Sequence, residues 1–520
     1  MSLFMRRFGI KDEKIVILGS LLYAYSGLAS MYVGQYMFHR FYTFMPLLFM
    51  GVEIYRESKR ISFFALITCI LFLQSYYFLF PTCFFLVIYY FFPMYYHGTY
   101  VNPIEILLSA LKLILGFFVG FLMSGVVLVP CILYVLNNPR IGAFSTDLIY
   151  PLKVYLGYVF SYVCAPFNLY SEIPYLFEVG EGGHLTWYSI YAGILTVPFI
   201  FSLVFRKKDT KGLSLLVTEI ILTVLALVPV LSSIIHGLSE PSFRWMYLTV
   251  FFHIICMSVL MEEKQEKVLL KGGALYTILL VVVCIVGIIT KTIKLSYQEH
   301  LLFMVGSVGV MWIYLFLVAR GMWKMVTLCS CIECVGMSGL HLKILNDPYQ
   351  PSNDSLNVDY IRYGEQLNGD TFYRLYVNPS YLAPFSVMNL NQSLHYDYSS
   401  TVTYDSTYEY DLHDFLFYND ITWHIIDIHN PELLRMLGVK YYYVIDESEL
   451  PEDYHFTYQF NVNHFMVYQL DDYRPIGFTY SLFRPVSKLK VNKYGKIRGG
   501  FLWNERLIVP DEMDVSDIVE

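Results

Sequence analysis

Two arginines carry the most definite chemistry in this sequence. Arg140 and Arg244 each lie at the end of a long apolar run, on the side of the chain's alternating loops where basic residues are scarce. A guanidinium held at the level of lipid headgroups can grip a phosphate through two parallel hydrogen bonds, which a lysine cannot reproduce. The same placement also suits an ordinary interfacial anchor, its stem along the bilayer and its head paired with lipid phosphate or Glu240. Both arginines sit in polar stretches, Asn137-Asn138-Pro139-Arg140 and the run from His236 through Ser242 to Trp245. The segment between 141 and 183 adds Asp147, Glu172, Glu178 and Glu181.

Other candidates point to packing rather than catalysis. Glu333 is the one carboxylate near the middle of an apolar run, and Glu219 and His253 lie deeper than an anchor needs. A proton or ion path would want several such groups on different helices, so hydrogen bonding between helices is the expected role. Cys329, Cys331 and Cys334 share one apolar run without a nearby histidine, and all nine cysteines lie at or before Cys334. They are expected to be small core residues with no metal and no disulfide framework. Gly306 and Gly309 form a pair inside a span, where close helix packing is expected. Phosphate-binding glycine loops, Gly-x-Ser-x-Gly elbows and His-Glu-x-x-His motifs are absent, which excludes ABC-type ATPases and glycosyltransferases built on a cytoplasmic domain. Nothing calls for a cofactor or a nucleic acid.

The elements that must position these residues are membrane spans. Apolar residues make up 56% of the chain and charged residues 15%, well below the roughly 25% charged of soluble domains. A bilayer core of about 30 Å needs roughly 20 apolar helical residues per crossing. On that measure the chain is a polytopic α-helical membrane protein with about eleven transmembrane helices, over 15–34, 39–55, 61–79, 82–96, 104–136, 184–205, 213–235, 243–261, 269–290, 300–319 and 323–340. The fourth is short, and the fifth is too long for one simple crossing. No N-terminal stretch ends in a small-residue cleavage site, so the first span reads as retained.

Basic residues orient the spans. With a cytoplasmic N-terminus, the inner loops hold 17 Lys and Arg, including Arg56, Lys59, Arg60, Lys112 and the Arg206, Lys207, Lys208, Lys211 cluster, against six outside. An odd number of crossings then puts the C-terminal part outside. The membrane part, 1–340, has 23 Lys and Arg against 17 Asp and Glu, whereas 341–520 has 13 against 26. The boundary is therefore expected near His341, with external loops at 137–183 and 236–245. The stretch 150–167 is aromatic enough to lie in the interface or re-enter the membrane. In the tail, Lys440 to Ile445 and His464 to Gln469 read as strands, and Pro431 to Gly438 as a short helix closed by glycine. This predicts a separate extracellular, mixed α/β domain rich in tyrosine. Those tyrosines suit a carbohydrate-facing surface or, more simply, half-buried strands.

An ordered set of motifs resembles the YfhO family of bacterial membrane proteins. It comprises Tyr23-Ala24-Tyr25-Ser26-Gly27, Pro46-Leu47-Leu48-Phe49-Met50-Gly51-Val52-Glu53, Gln74-Ser75-Tyr76-Tyr77-Phe78, Pro130 followed by Asn138-Pro139-Arg140, and Gly237 followed by Ser242-Phe243-Arg244-Trp245. Tyr373-Arg374, Ser399-Ser400 and Leu437-Gly438-Val439-Lys440-Tyr441-Tyr442 continue it into the tail. That family looks like the C-type membrane glycosyltransferases. The resemblance implies transfer of a sugar from a polyprenyl-phosphate carrier to a cell-envelope polymer, such as lipoteichoic acid, on the outer face. Its implied partners are membrane lipid, the lipid-linked sugar and the polymer acceptor.

Under that resemblance Arg140 and Arg244 hold the carrier's phosphate as it becomes the leaving group. The pocket is expected at the outer boundary, because the carrier's tail must stay in lipid while its phosphate stays at headgroup level. Asn138, His236, Ser242 and Trp245 would line it. C-type enzymes place an acidic residue in the first external loop, yet 32–42 holds Gln35, His39 and Arg40 and no carboxylate. The chain thus resembles a member shortened at both ends. Asp147, Glu172, Glu178, Glu181 and Glu240 are the external carboxylates that could replace the base. The alternative is a catalytically inactive relative that binds lipid or acts as a scaffold.

Overall fold

The computed structural model describes residues 1–31, 36–98, 102–136, 145–163, 190–238, 241–263, 266–290 and 298–346, together with 367, 372–377, 399, 401, 403–404, 425–426, 431–462, 465–474, 483–485 and 507–509. Contacts divide the chain into one unit of Met1–Leu133 with Arg140–Asp347, and a second of Tyr134–Pro139 with Pro348–Glu520.

The first unit is helical. A short α1 (Ser2–Phe8) ends at Gly9, and α2 (Glu13–Ala24) starts from an Asp12 cap that accepts from Lys14 N at 2.9 Å. Then follow α3 (Gly27–Met31), α4 (Tyr36–Ser58), α5 (Ser62–Gln74), α6 (Tyr76–His97), α7 (Pro103–Met123), α8 (Gly125–Leu136) and α9 (Leu152–Phe160). The second half runs α10 (Thr196–Ser202), α11 (Thr210–Leu227), α12 (Pro229–Ile235), α13 (Tyr247–Glu262), α14 (Glu266–Ile289), α15 (Gln298–Ala319) and α16 (Trp323–Asn346).

Four of the described helices are long and apolar enough to cross a membrane: Pro103–Met123, Thr210–Leu227, Arg244–Glu262 and Lys267–Ile289. Arg244–Glu262 is 94% buried and forms the centre, whereas Pro103–Met123 is 17% buried and lies at the periphery. Ile104, Leu107, Leu108, Leu111, Ile114 and Leu115 are exposed along that outer helix, the pattern of a lipid-facing side.

Several expected spans are divided. The first breaks at Tyr25 and Ser26, where Ser26 Oγ bonds Tyr42 OH at 2.8 Å and accepts from Ala29 N at 3.3 Å. The third ends at Ser75, whose extended backbone (φ −166, ψ 107) lets α6 begin at Tyr76; the short fourth span thereby becomes a 22-residue helix. The long fifth stretch breaks at Ser124, and the stretch 213–235 breaks at Val228 before Pro229. Residues 190–195 are not helical. Lys112, expected in an inner loop, lies inside α7 and is exposed.

Hydrogen bonds between helices make irregular backbone tolerable at membrane depth. Glu333 Oε1 accepts from Ile194 N at 2.6 Å and from Tyr191 OH, while Oε2 accepts from Tyr314 OH at 2.7 Å. Gly27 N donates to Tyr191 O at 2.9 Å, joining the two breaks. Glu219 Oε1 meets His253 Nε2 at 3.1 Å and Tyr162 OH at 3.3 Å. Eight described cysteines are free, and Cys164 lies outside the described residues.

The glycine expectation needs correction. A Cβ on Gly306 or Gly309 would meet nothing within 4 Å among the described residues, so neither makes a close helix contact with them. The tightest approaches to the backbone of another helix are at Gly120, against Ala65 O at 2.6 Å, and at Gly272, against Pro198 O at 2.3 Å. Periodicity alone cannot say which helix face meets a neighbour.

Basic residues gather at one end of this unit. Arg7 pairs with Glu57, Arg206 Nη2 lies 2.5 Å from Glu263 Oε1, and Arg56 donates to Tyr90 O. Glu262 Oε1 accepts from Lys11 N at 2.5 Å, and Lys211 Nζ stands 5.3 Å from the centre of the Tyr96 ring.

The second unit contains β1 (Arg374–Val377), β2 (Thr403–Tyr404), β3 (Ile425–Ile426), α17 (Pro431–Met436), β4 (Val439–Val444), β5 (Phe456–Val462), β6 (Phe465–Leu470), β7 (Phe483–Pro485) and β8 (Leu507–Val509). A four-stranded mixed sheet has the order β1-β4-β6-β5, with β1 parallel to β4 and the other pairs antiparallel. Gly438 ends the α17 turn at φ +76, a conformation glycine adopts without strain. Tyr441, Tyr442 and Tyr443 are buried, Tyr442 together with Leu433, Leu434, Val439 and Leu470. These three tyrosines are core residues, whereas Tyr458 is exposed.

Candidate functional site

At the end of the helical unit opposite the basic cluster, three segments converge on α12. Pro229 starts that helix with the fixed φ suited to a first turn, and it has no amide hydrogen to leave unsatisfied. The next amide, Val230 N, donates to Asp147 O at 3.0 Å, which fastens the 145–151 segment to the helix. At the other end His236 N donates to Ser232 O at 2.9 Å. Gly237 (φ +84) and Leu238 (φ +58) then turn the chain, and Leu238 N returns to Ser233 O at 2.9 Å.

The third segment is the 3-10 turn Arg244–Met246, which leads into α13. Ser232 Oγ donates to Ser242 O at 3.2 Å and accepts from Trp245 Nε1 at 3.4 Å. Ser242 Oγ accepts from Arg244 N at 3.3 Å. Phe243, Trp245 and Met246 are buried, and Phe243 packs on the Tyr150 ring at 5.7 Å. These contacts fix the backbone that carries Arg244, whose side chain is half-buried. Tyr247 secures the next residue, donating to Phe78 O at 2.6 Å and bonding Thr82 Oγ1 at 2.9 Å. His236 hydrogen-bonds Tyr77 at the start of α6, with the rings edge to face at 5.2 Å.

The result is a polar shelf of Ser232, His236, Ser242 and Arg244 beside aromatic rings. Burial pushes the Tyr150 phenol up to about 12, which keeps it neutral near pH 7. Next to the shelf lies an apolar crevice lined by Phe84, Phe85, Leu222, Leu225, Ile235 and Trp245. Trp245 belongs to both, its ring in the crevice wall and its N–H on Ser232. Phe84 is 37% exposed, so the crevice has an edge on the outer surface of the helices. The crevice holds little more than a water molecule, and Ser232 and Ser242 are buried with their hydroxyls holding the turn together, so the groups left partly open to an anion are Arg244 and His236.

Of the residues expected at the site, the structure brings together His236, Ser242, Arg244 and Trp245, with the Asp147 backbone tied to the same helix. The Asp147 side chain is exposed. Arg140, Asn138, Glu172, Glu178, Glu181 and Glu240 lie outside the described residues. Sequence reasoning missed Tyr77, Tyr150 and Ser232 as shelf residues. Tyr77 and Ser232 are separated by more than 150 positions, so only a pairing of α6 with α12 could reveal their neighbourhood.

The family model described as bacterial membrane protein YfhO matches residues 1–493. The chain belongs to the YfhO family. Comparison with curated proteins and with solved structures found no match. The match runs through both units, so YfhO membership covers the helical unit with its shelf as well as the mixed sheet. Among the family-like motifs, Gln74-Ser75-Tyr76-Tyr77-Phe78 supplies the α5–α6 break and the His236 partner. Ser242-Phe243-Arg244-Trp245 supplies the shelf turn itself.

Proposed function

We propose that this YfhO protein is a membrane glycosyltransferase that uses a polyprenyl-phosphate-linked sugar and acts at the outer face on a cell-envelope polymer such as lipoteichoic acid. The observation that supports this reading is Arg244, a half-buried guanidinium held on the 3-10 turn before α13, at the end of the helical unit opposite the basic cluster. The carrier's phosphate would lie beside Arg244 and its chain along exposed apolar side chains of the helices such as Phe80, Phe84 and Val224, with Arg140 as the expected second cation. As the sugar's anomeric bond breaks, charge accumulates on the departing phosphate, where a preorganised guanidinium stabilises it most. A carboxylate of the 141–183 loop would take the acceptor's hydroxyl proton; Asp147, exposed beside the shelf, is the described candidate.

Replacing Arg244 tests the site. Lysine keeps the charge but loses the two-pronged geometry, and glutamine loses both. Binding of a polyprenyl phosphate by the purified protein should fall in the order Arg, Lys, Gln, with Arg244→Gln weaker by about tenfold or more. Equal binding by all three variants at equal protein levels would reduce Arg244 to an interfacial anchor. A second reading, a carrier-binding protein without transferase activity, draws on the lack of a carboxylate in 32–42. Under it, Arg244→Gln still loses binding but Asp147→Asn changes no measurable transfer.

The reading also requires the shelf end to face outward and the basic end to face the cytoplasm. In a cysteine-free background, a single cysteine at Glu452 should react with an impermeant maleimide on intact cells, and one at Lys208 should not. Both side chains are exposed. Labelling at Lys208 alone would reverse the orientation and remove the site from the outer face.

A further inference from the structure

The basic end of the helical unit contains a guanidinium that the protein satisfies only in part. Arg206 follows the 3-10 turn Leu203–Phe205, and its side chain is 3% exposed. Nη2 meets Glu263 Oε1 at 2.5 Å, whereas Nε and Nη1 are buried and donate to nothing. Buried charged donors are costly to leave unpaired, so these two N–H groups ask for an acceptor.

Their position limits what that acceptor can be. A Cβ on Gly212 would lie 3.3 Å from Arg206 Cδ and 2.4 Å from Lys207 O, so the arginine stem rests against the first turn of the 18-residue α11. The positive pole of that helix favours an anion, and the Asp209 cap occupies only Gly212 N, at 2.7 Å. Among the described residues, two carboxylates beside Arg206, Lys207, Lys208 and Lys211 are committed, Asp209 to the cap and Glu263 to Arg206. Neighbouring Glu262 is held by the amides of Lys11 and Asp12, at 2.5 and 3.2 Å. Val204, Phe205 and Leu213 flank the cluster and are 54%, 42% and 48% exposed, so apolar surface lies open beside it.

We propose that the turn 206–212 binds the phosphate of an anionic lipid, with the exposed Lys208 and Lys211 flanking the headgroup and the phosphate displacing what now covers Arg206 Nε and Nη1 so that its oxygens meet them. This site lies at the opposite end of the bundle from the Arg244 shelf and does not depend on the proposed transferase activity. A phosphate that belongs to a lipid places its acyl chains beside Phe205 and Leu213; a soluble phosphate ester leaves those side chains uncovered.

The test uses the full-length protein in nanodiscs of phosphatidylcholine with and without phosphatidylglycerol, reading retained lipid by native mass spectrometry and stability by thermal unfolding. Phosphatidylglycerol should be retained preferentially and raise the unfolding temperature. Arg206→Lys, which keeps the Glu263 pair, should reduce that retention. Lys208→Gln and Lys211→Gln should each lower it about fivefold, with unfolding in pure phosphatidylcholine unchanged. Glycerol 3-phosphate without anionic lipid is the second arm, and an equal thermal shift there would make a soluble phosphate ester the occupant. Equal retention of the two lipids, or variants that retain phosphatidylglycerol like the parent, would overturn the proposal.

Discussion

Replacing Glu333 with leucine is expected to destabilise the helical unit by about 3–5 kcal/mol. One carboxylate here accepts from Tyr191 OH, Tyr314 OH and Ile194 N. Leucine would take this acceptor from three donors on residues that are themselves buried. Each orphaned donor costs roughly 1–3 kcal/mol, less what relaxation recovers. Ile194 N matters most, because residues 190–195 are non-helical and have no ladder of their own to fall back on. Glu333→Gln keeps one acceptor oxygen and should lose less. Thermal unfolding in nanodiscs should rank parent, Gln and Leu in that order; a leucine variant as stable as the parent would mean the carboxylate does not hold the break together.

Gly272→Val should cost about 1–3 kcal/mol or more, because its side chain would run into backbone. A Cβ at 272 would stand 2.3 Å from Pro198 O, 2.6 Å from Ser202 N and 3.0 Å from Ser202 Cα. Backbone atoms of α10 cannot rotate away, so α10 and α14 would have to separate at one of the most extensive helix contacts in the unit. Gly273 is the informative neighbour: its Cβ would meet the end of the Leu315 side chain at 2.5 Å, which can move. Gly309→Ala, with nothing within 4 Å, serves as the control. Unfolding temperatures should fall most for Gly272→Val, slightly for Gly273→Ala and not at all for Gly309→Ala. A Gly272→Val protein that unfolds with the control would refute the close packing of α10 on α14.

The sequence by itself determined that this chain lies in a membrane, roughly where its apolar helices run, and which turn carries Arg244. Those properties are local. Hydropathy is a sum over some 20 consecutive residues, and a strand such as β4 announces itself through a short run of valine and tyrosine between turn residues. The division of the spans was only faintly written. Three breaks fall at serines, Ser26, Ser75 and Ser124, two of them followed by glycine, and the fourth precedes Pro229. Apolar side chains around these positions still favour lipid whether or not the backbone stays helical, so hydropathy passes over them.

Tertiary structure decided where the freed backbone groups find partners. Residues 190–195 can leave the helix because Glu333, about 140 positions away, accepts the Ile194 amide, and because Gly27 N reaches Tyr191 O. It also decided which glycines pack: Gly306 and Gly309 have the helical spacing, but the helix faces that meet are those of Gly120 and Gly272. The shelf is likewise a product of assembly. Arg244 was visible as an unusual cation, whereas its setting comes from Asp147 on Val230, Tyr77 on His236 and Ser232 between Ser242 and Trp245. A bilayer penalises every unsatisfied polar group, and the partner that removes the penalty can come from any helix; that choice is made by packing, not by neighbouring residues in the chain.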